Sequence, residues 1–173
     1  STFKFLFIIG LFFIGTHSAF AACGDSITGG TGTSVDPYQI DTPTELAAIS
    51  NCLGGGNASK YFKVMNDIDL NVAPYNTGDG WQPIGSSASP FYGRCTGGNF
   101  TISNLYINRP SATDVGLFGA VGSGALVQRT YLTNVNIDGG PSNIGPIAGY
   151  SAGTIRNVGV TGGAVTGFMR MGG

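Results

Sequence analysis

The sequence has few ionisable side chains, and their scarcity excludes several classes of protein. Only 10% of the 173 residues are charged, against roughly 25% in an average protein. Lys and Arg together number 8, which leaves no basic stripe that could hold a nucleic acid. The single histidine, His17, lies close to an apolar N-terminal run. A Ser-His-Asp triad and a histidine-ligated zinc hydrolase are therefore excluded for this chain.

Glycine is abundant instead, with 30 residues that follow no Gly-X-Y period. Together with many Val, Ile and Leu residues, this composition indicates short strands joined by tight turns rather than disorder. We therefore expect an all-β protein.

Residues 1–22 have the features of a secretory signal peptide. Lys4 precedes an apolar run from Phe5 to Gly15, and alanines follow near the cleavage site. The run of about 11 residues is shorter than the roughly 20 that a membrane-spanning helix needs. We expect an exported protein, either secreted or held at the cell surface.

The three cysteines allow two interpretations. The sequence from Phe20 to Cys23 approximates a bacterial lipobox, which makes Cys23 a candidate for lipidation and for anchoring to the outer membrane. Cys52 and Cys95 would then form an even pair, which predicts a disulfide in an oxidising compartment. The alternative is that Cys52 and Cys95 are two buried small hydrophobic residues. Without the lipid, the chain would be freely secreted.

A helix is predicted over about residues 43–53. Thr42 and Glu45 have the spacing of a capping box, with Pro43 in the first helical position. Apolar residues then recur at helical spacing as far as Leu53, and a glycine follows. This helix lies where a stack of strands needs an N-terminal cap, because bare strand edges invite pairing with other chains.

Two segments, residues 115–139 and 144–167, resemble each other. Over most of their length they align at one fixed offset, which sets Val127 beside Ile155. A glycine motif also repeats after a one-residue adjustment, first as Gly116 and Gly119 and then as Gly145 and Gly149. A repeat of this length, built from short strands and glycine turns, indicates a solenoid.

A hexapeptide also occurs twice, as Ile102–Ile107 and as Ile155–Val160, with Asn104 and Asn157 at the same place. This match predicts that both asparagines occupy one corner of different turns, and that Ile102, Val127 and Ile155 are equivalent positions of successive turns. Arg129 stands at the equivalent place in between. Asparagine tolerates a left-handed backbone, and its amide can hydrogen-bond to a like amide in the next turn.

The sequence thus predicts a parallel β-helix, or β-solenoid, with an N-terminal capping α-helix. The chain divides into a signal peptide (1–22), a Gly/Thr/Ser-rich leader (23–34), the cap (35–60) and the β-helix turns (61–173). Because the chain stops soon after a turn, we expect a product that is truncated at its C-terminus.

Five motifs in residues 30–167 resemble those of bacterial surface proteins that carry GLUG repeats. They are Gly-Thr-x-x-Asp-Pro-Tyr-x-Ile (32–40), Asn-Asp-Ile-Asp-Leu (66–70), Trp-x-Pro-Ile-Gly (81–85), Ile-Ser-Asn-Leu (102–105) and Gly-Leu-Phe-Gly (116–119). The resemblance implies a right-handed parallel β-helix in large secreted or wall-attached proteins. These include adhesin-like proteins and the non-catalytic regions of immunoglobulin A metallopeptidases.

Three carboxylates are candidate calcium ligands. Asp67 and Asp69 share one face of a strand, and Asp79 follows in a glycine-rich loop. Carboxylate oxygens suit Ca²⁺, but no complete series of ligands is spaced around them. We therefore favour the alternative that Asp67 and Asp69 cap turns or accept backbone amides. The same carboxylates could serve a polysaccharide lyase or hydrolase, but the sequence offers no charged groove for one.

We expect a non-catalytic surface or secreted protein, adhesin-like or structural, that needs no cofactor. Its partner would be a surface ligand, either protein or glycan, and not a nucleic acid. Two alternatives remain open: a carbohydrate-binding or polysaccharide-degrading β-helix, and a stalk that presents another domain. A contiguous patch of exposed aromatic residues would favour adhesion.

Overall fold

The computed structural model describes residues 22–167, in which short parallel strands coil into a β-solenoid. The predicted fold class is confirmed, including the single short helix near the N-terminus. The predicted signal peptide, except for its last residue, lies outside the described residues, as do residues 168–173.

One α-helix and twelve strands occur within residues 22–167. In chain order they are β1 (Tyr38–Ile40), α1 (Pro43–Ala48), β2 (Tyr61–Val64), β3 (Ile68–Asp69), β4 (Arg94–Thr96), β5 (Thr101–Ser103), β6 (Tyr106–Asn108), β7 (Phe118–Val121), β8 (Leu126–Gln128), β9 (Tyr131–Gly139), β10 (Ala148–Ser151), β11 (Thr154–Arg156) and β12 (Gly159–Gly167).

The strands form three sheets that run along the stack. The first sheet contains β1, β2, β4, β8 and β11, and the third contains β7 and β10. The second sheet contains β3, β5, β9 and β12, with β6 beside β9. Each strand pairs in parallel with a strand of the next turn, which gives the buried backbone groups their hydrogen-bond partners.

Inward-facing side chains stack into columns that form one core. In the first sheet the register partners in successive turns are Tyr38, Phe62, Cys95, Val127 and Ile155. In the second sheet they are Ile68, Ile102, Leu132 and Val160. Burying one such side chain stabilises the fold by roughly 1.5–3 kcal/mol, so strands too short to be stable alone are held by stacking.

The N-terminal helix begins as the capping box predicts. Thr42 Oγ1 accepts a hydrogen bond from the backbone N–H of Glu45 at 3.2 Å, and Glu45 Oε2 accepts one from the backbone N–H of Asp41 at 2.9 Å. The α-helix ends at Ala48, and the chain continues as a tighter 3-10 helix over Ile49–Cys52. The helical segment therefore ends one residue before the predicted boundary.

Glu45 also ties the leader to the cap. Its Oε1 accepts hydrogen bonds from the backbone N–H and the hydroxyl of Thr28, at 3.1 and 2.7 Å. Burial raises the pKa of Glu45, but the hydrogen bonds from Asp41, Thr28 and Thr42 outweigh it and hold the pKa below its ordinary value. Ile27 is buried as well. The leader is therefore packed against the cap, although its composition offers little to bury.

The fixed offset between the two similar segments is confirmed by the strand register. The paired residues are Val127 with Ile155, Leu132 with Val160, Thr133 with Thr161, Ile137 with Val165 and Gly139 with Gly167. The glycine motif repeats in register as well. The pairing of Phe118 with Ala148 sets Gly119 beside Gly149, and the bridge from Val115 to Ile144 sets Gly116 beside Gly145.

The predicted equivalence of Asn104 and Asn157 is wrong. The strand before Asn104, β5, pairs with the start of β9, so Asn104 lies beside Asn134. The strand before Asn157, β11, pairs with β8, so Asn157 lies beside Arg129 at another corner.

The predicted equivalence of Ile102 and Val127 is wrong for the same reason. Ile102 pairs with Leu132 in the second sheet, whereas Val127 belongs to the first sheet and pairs with Cys95 and Ile155. Loops of different length join the strands, so a local match of six residues does not fix the register.

The corner residues nevertheless have the left-handed backbone that the sequence predicts for asparagine. The φ angle is 60° at Asn104 and 54° at Asn134, and it is 52° at both Arg129 and Asn157. This conformation costs an ordinary L-residue roughly 1–2 kcal/mol, and the short polar side chain of asparagine lowers that cost by local hydrogen bonding. The stacked corners thus repeat one backbone bend in successive turns.

The cysteine pairing differs from the prediction. Cys52 is bonded to Cys23, with the two Cα atoms 4.6 Å apart, and Cys95 is a buried free thiol. Cys95 lies in the core column between Phe62 and Val127 and is buried there. Burial raises the pKa of the Cys95 thiol to about 12. The Cys23 sulfur is occupied by the disulfide, so lipidation at Cys23 has no support in this structure.

Candidate functional site

A ladder of hydrogen-bonded side chains runs across three turns of the second sheet. Asp69 Oδ1 accepts a hydrogen bond from Asn104 Nδ2 at 2.7 Å, and Asn104 Oδ1 accepts one from Asn134 Nδ2 at 2.6 Å. The left-handed backbone at Asn104 and Asn134 directs both amides along the stack. The predicted bond between like amides is therefore confirmed, with Asn134 as the partner of Asn104.

The ladder forms one wall of a groove that we call the asparagine groove. It has a volume of about 340 Å³ and is lined by Asn71, Asn76, Asn104, Leu105, Tyr106, Asn134 and Asn136. Asn76 Oδ1 is the only buried side-chain oxygen or nitrogen in residues 22–167 that has no hydrogen-bond partner. The amides of the lining that are exposed, and that a bound molecule can therefore reach, are those of Asn71, Asn134 and Asn136. Apart from Tyr106 and Leu105 the lining consists of amides, which suits a neutral ligand with several hydroxyl groups.

The three calcium candidates do not converge on one point. Asp67 Oδ1 accepts a hydrogen bond from the backbone N–H of Thr101 at 2.8 Å. Asp79 lies 3.7 Å from the guanidinium of Arg109. Within residues 22–167 no three His, Cys, Asp or Glu side chains are grouped so that they could hold a metal ion.

Asp69 is held by amides rather than by other carboxylates. Hydrogen bonds from the Asn104 side chain and the Asn71 backbone lower the pKa of Asp69. The carboxylate is therefore ionised over a wider range of pH than that of an ordinary aspartate. In this position it ends the ladder and fixes the turn that follows β3, which agrees with the structural alternative for Asp67 and Asp69.

A second ladder, which the sequence analysis missed, lies at the corner before the third sheet. Asp114 accepts hydrogen bonds from the backbone N–H of Ser87 at 2.7 Å and from Asn143 Nδ2 at 2.8 Å. Burial raises the pKa of Asp114, but these hydrogen bonds outweigh it and lower the pKa. Asp114 and Asn143 each precede an aligned glycine motif, with φ of 58° and 59°. Their position before the repeated motif was the signal in the sequence.

Comparison with known proteins gives two long relatives. The chain is 35% identical over 158 residues to a protein of Evansella cellulosilytica named "Putative Gly-rich membrane protein". The aligned region covers 90% of this chain and 18% of that protein. The chain is 39% identical over 150 residues to the halomucin of Haloquadratum walsbyi. This aligned region covers 83% of the chain and 2% of halomucin. The chain thus spans less than a fifth of either relative.

No family model matches the chain, so the resemblance to GLUG-repeat proteins stays a prediction. No solved structure matches it either. The names of the two relatives are compatible with a protein of the cell surface or membrane. Among the described residues, no helix is both long and apolar enough to cross a membrane.

Proposed function

We propose that this protein is an exported, non-catalytic β-solenoid that acts at the cell surface as a structural or adhesive module. The observation that carries the proposal is the use made of its carboxylates. Asp67, Asp69 and Asp114 accept hydrogen bonds from groups in the next turn or in a neighbouring loop. A catalytic acid or base must reach the proton that it transfers, whereas these side chains hold the coil together.

Two further observations support the surface location. The apolar segment near the N-terminus has the pattern of an export signal. Both long relatives have names of the surface or membrane type. A solenoid segment within a long surface protein would hold other parts of that protein away from the cell or expose a binding face itself.

Export and catalysis can be tested separately on the full chain. We expect an epitope-tagged chain, expressed in a bacterial host, to be cut by protease added to intact cells or to appear in the medium. Retention in the cytoplasm would contradict the surface role. We also expect the purified chain to release no reducing ends or unsaturated products from pectate, alginate or neutral glucans. Turnover that Asp67→Asn abolishes would contradict the non-catalytic role.

The asparagine groove favours a second candidate function, the binding of a neutral glycan. Sugar hydroxyls can hydrogen-bond to the exposed amides of Asn71, Asn134 and Asn136, and Tyr106 offers an aromatic surface. We expect Asn136→Ala, which removes an exposed amide of the lining, to weaken retention of the protein in gels that contain a neutral polysaccharide. Asn157→Ala is the matched control, because Asn157 is an exposed asparagine at a different corner. Equal retention of both variants and the unaltered chain would exclude the groove.

A further inference from the structure

The charged side chains are divided between the sheets. The five strands of the first sheet contain Lys63, Arg94 and Arg156 and no acidic residue. The strands of the second sheet contain Asp69 and Asp138 and no basic residue. The two strands of the third sheet carry no charge. The strands of the first sheet are therefore basic, those of the second acidic and those of the third uncharged, although the formal net charge of the chain is only −1.

The cations of the first sheet form one surface, which we call the basic face. Lys63, Arg94 and Arg156 are exposed and alternate with the buried residues Phe62 and Cys95 and the half-buried Ile155, so all three point outward. Lys63 and Arg156 belong to one column of register partners, with Thr96 and Gln128 between them. Turns repeat at roughly 4.8 Å, so these two cations stand about 14 Å apart along the stack.

The cations of the basic face have no carboxylate partner. The ion pair between Arg109 and Asp79, on another side, is the only salt bridge within residues 22–167. Arg94 lies over the ring of Tyr61, with 5.9 Å between the guanidinium carbon and the ring centroid. Arg156 Nε donates to Gln128 Oε1 at 3.0 Å. These neutral contacts position the side chains and leave their charges uncompensated, so the face attracts anions.

A shallow cavity of about 170 Å³ opens among the same residues. Its lining is mostly apolar and includes Pro37, Tyr61, Arg94, Thr96, Leu126 and Gln128. An aromatic ring and aliphatic carbons beside hydrogen-bonding groups suit the apolar face of a sugar ring and its hydroxyls. The neighbouring guanidinium of Arg94 suits a carboxylate or sulfate on the same sugar.

We propose that the basic face binds an anionic polysaccharide along the stack of the first sheet. The proposal rests on the proposed surface function and names the ligand class of its adhesive surface. A sugar ring occupies the cavity beside Tyr61, and its acidic group and those of later sugars contact Arg94, Lys63 and Arg156. A nucleic acid fits less well, because duplex DNA carries one charge per about 1.7 Å and three cations over about 14 Å neutralise little of it.

Affinity electrophoresis of the purified full chain tests the proposal. The gels contain polygalacturonate, dextran sulfate or uncharged dextran, with duplex DNA in a fourth gel. We expect retardation by one or both acidic polysaccharides, with a dissociation constant that rises as salt is added. Retardation by polygalacturonate identifies a carboxylate as the anion, and retardation by dextran sulfate alone identifies a sulfate ester. Uncharged dextran should leave the mobility unchanged.

Variants locate the binding surface. We expect Arg94→Gln to weaken binding about two- to fivefold, as for one exposed charge pair. The triple variant Lys63→Gln, Arg94→Gln, Arg156→Gln should lose about tenfold or more on the same basis. Arg109→Gln is the matched control, because it removes one positive charge from another side. Circular dichroism verifies the fold of each variant. If the triple variant does not fold, the comparison of Arg94→Gln with Arg109→Gln tests the binding surface by itself.

Several outcomes would overturn the proposal. These are no retardation by either acidic polysaccharide, equal weakening by Arg109→Gln and Arg94→Gln, or tighter binding of DNA than of both. A chain that is displayed on the surface but binds neither acidic polysaccharide leaves the proposed function intact and rejects this inference. A chain that binds such a polysaccharide and also cleaves it rejects the non-catalytic function and leaves this inference intact.

Discussion

Replacing Asn104 by alanine tests the ladder of the second sheet. The substitution removes one hydrogen bond to Asp69 and one from Asn134. Each contributes about 0.5–1.5 kcal/mol, and partly exposed bonds lie at the lower end of that range. The substitution also places alanine in a left-handed conformation, φ 60°, which costs about 1–2 kcal/mol. We expect the free energy of unfolding to fall by about 2–3 kcal/mol.

Asn157→Ala separates the two contributions. Asn157 has φ of 52°, so alanine there meets the same backbone cost. Its side chain makes no hydrogen bond to any described residue, and its neighbour in the adjacent turn is Arg129 rather than another asparagine. Urea unfolding followed by circular dichroism should therefore show a loss that is smaller by about 1 kcal/mol for Asn157→Ala than for Asn104→Ala. Equal losses would mean that the ladder contributes nothing.

A double-mutant cycle gives a stricter test. Asn104→Ala and Asn134→Ala remove the two partners of one hydrogen bond, so their effects should not add. We expect the double variant to be more stable than the sum of the single losses predicts, by roughly 0.5 kcal/mol or more. Strict additivity would refute the claim that the two amides interact.

Three further predictions concern the cap and the core. Cys52→Ala should lower the free energy of unfolding by about 3.5 kcal/mol, the chain-entropy value for a separation of 29 residues. Peptide mass mapping of the unaltered chain should find Cys95 as the only free thiol, and a disulfide-linked Cys52–Cys95 peptide would contradict the pairing. The pKa of Glu45 is lowered in the fold, so its stabilisation is present above the ordinary glutamate pKa of about 4.3 and is lost as the pH falls through the lower folded value. Urea unfolding should thus show a Glu45→Gln deficit at pH 7 that shrinks with acidification, and a deficit independent of pH would refute the lowered pKa. Phe91→Ala should cost about 3–5 kcal/mol in the same assay, because Phe91 is fully buried with its ring centroid 5.8 Å from Phe62 and 5.1 Å from Phe118; a loss below about 1 kcal/mol would mean that the core packs differently.

The sequence predicts the architecture because a solenoid depends on local patterns. Alternating apolar residues, glycine turns and the capping box at Thr42 act within a few residues of one another, so their consequences can be worked out without a tertiary structure. The predicted alignment of Val127 with Ile155 is confirmed for a related reason. From Val127 to Gly139 the two turns have no insertion relative to each other, so the sequence match and the strand register coincide.

Register elsewhere could not be predicted in the same way. Asn104 and Asn157 have similar neighbours in sequence, but the loops before them differ in length and bring them to different corners. The predicted disulfide is wrong because pairing depends on which cysteines the tertiary fold brings together. A lipobox-like sequence suggested a separate use for Cys23, whereas the packing of the leader against the cap brings Cys23 to Cys52 and directs Cys95 into the core.

The charge division between the sheets was also invisible in the sequence, for a geometric reason. Lys63, Arg94 and Arg156 lie far apart along the chain, and Arg94 stands at a different position in its turn from the other two. Only the stacking of β2, β4, β8 and β11 brings them to one face. In a solenoid the inward residues of each strand are fixed by packing, while the outward residues are free to vary. The absence of acidic residues from the outward positions of the five strands of the first sheet is therefore not required by the fold, and it fits the anionic ligand proposed for the basic face.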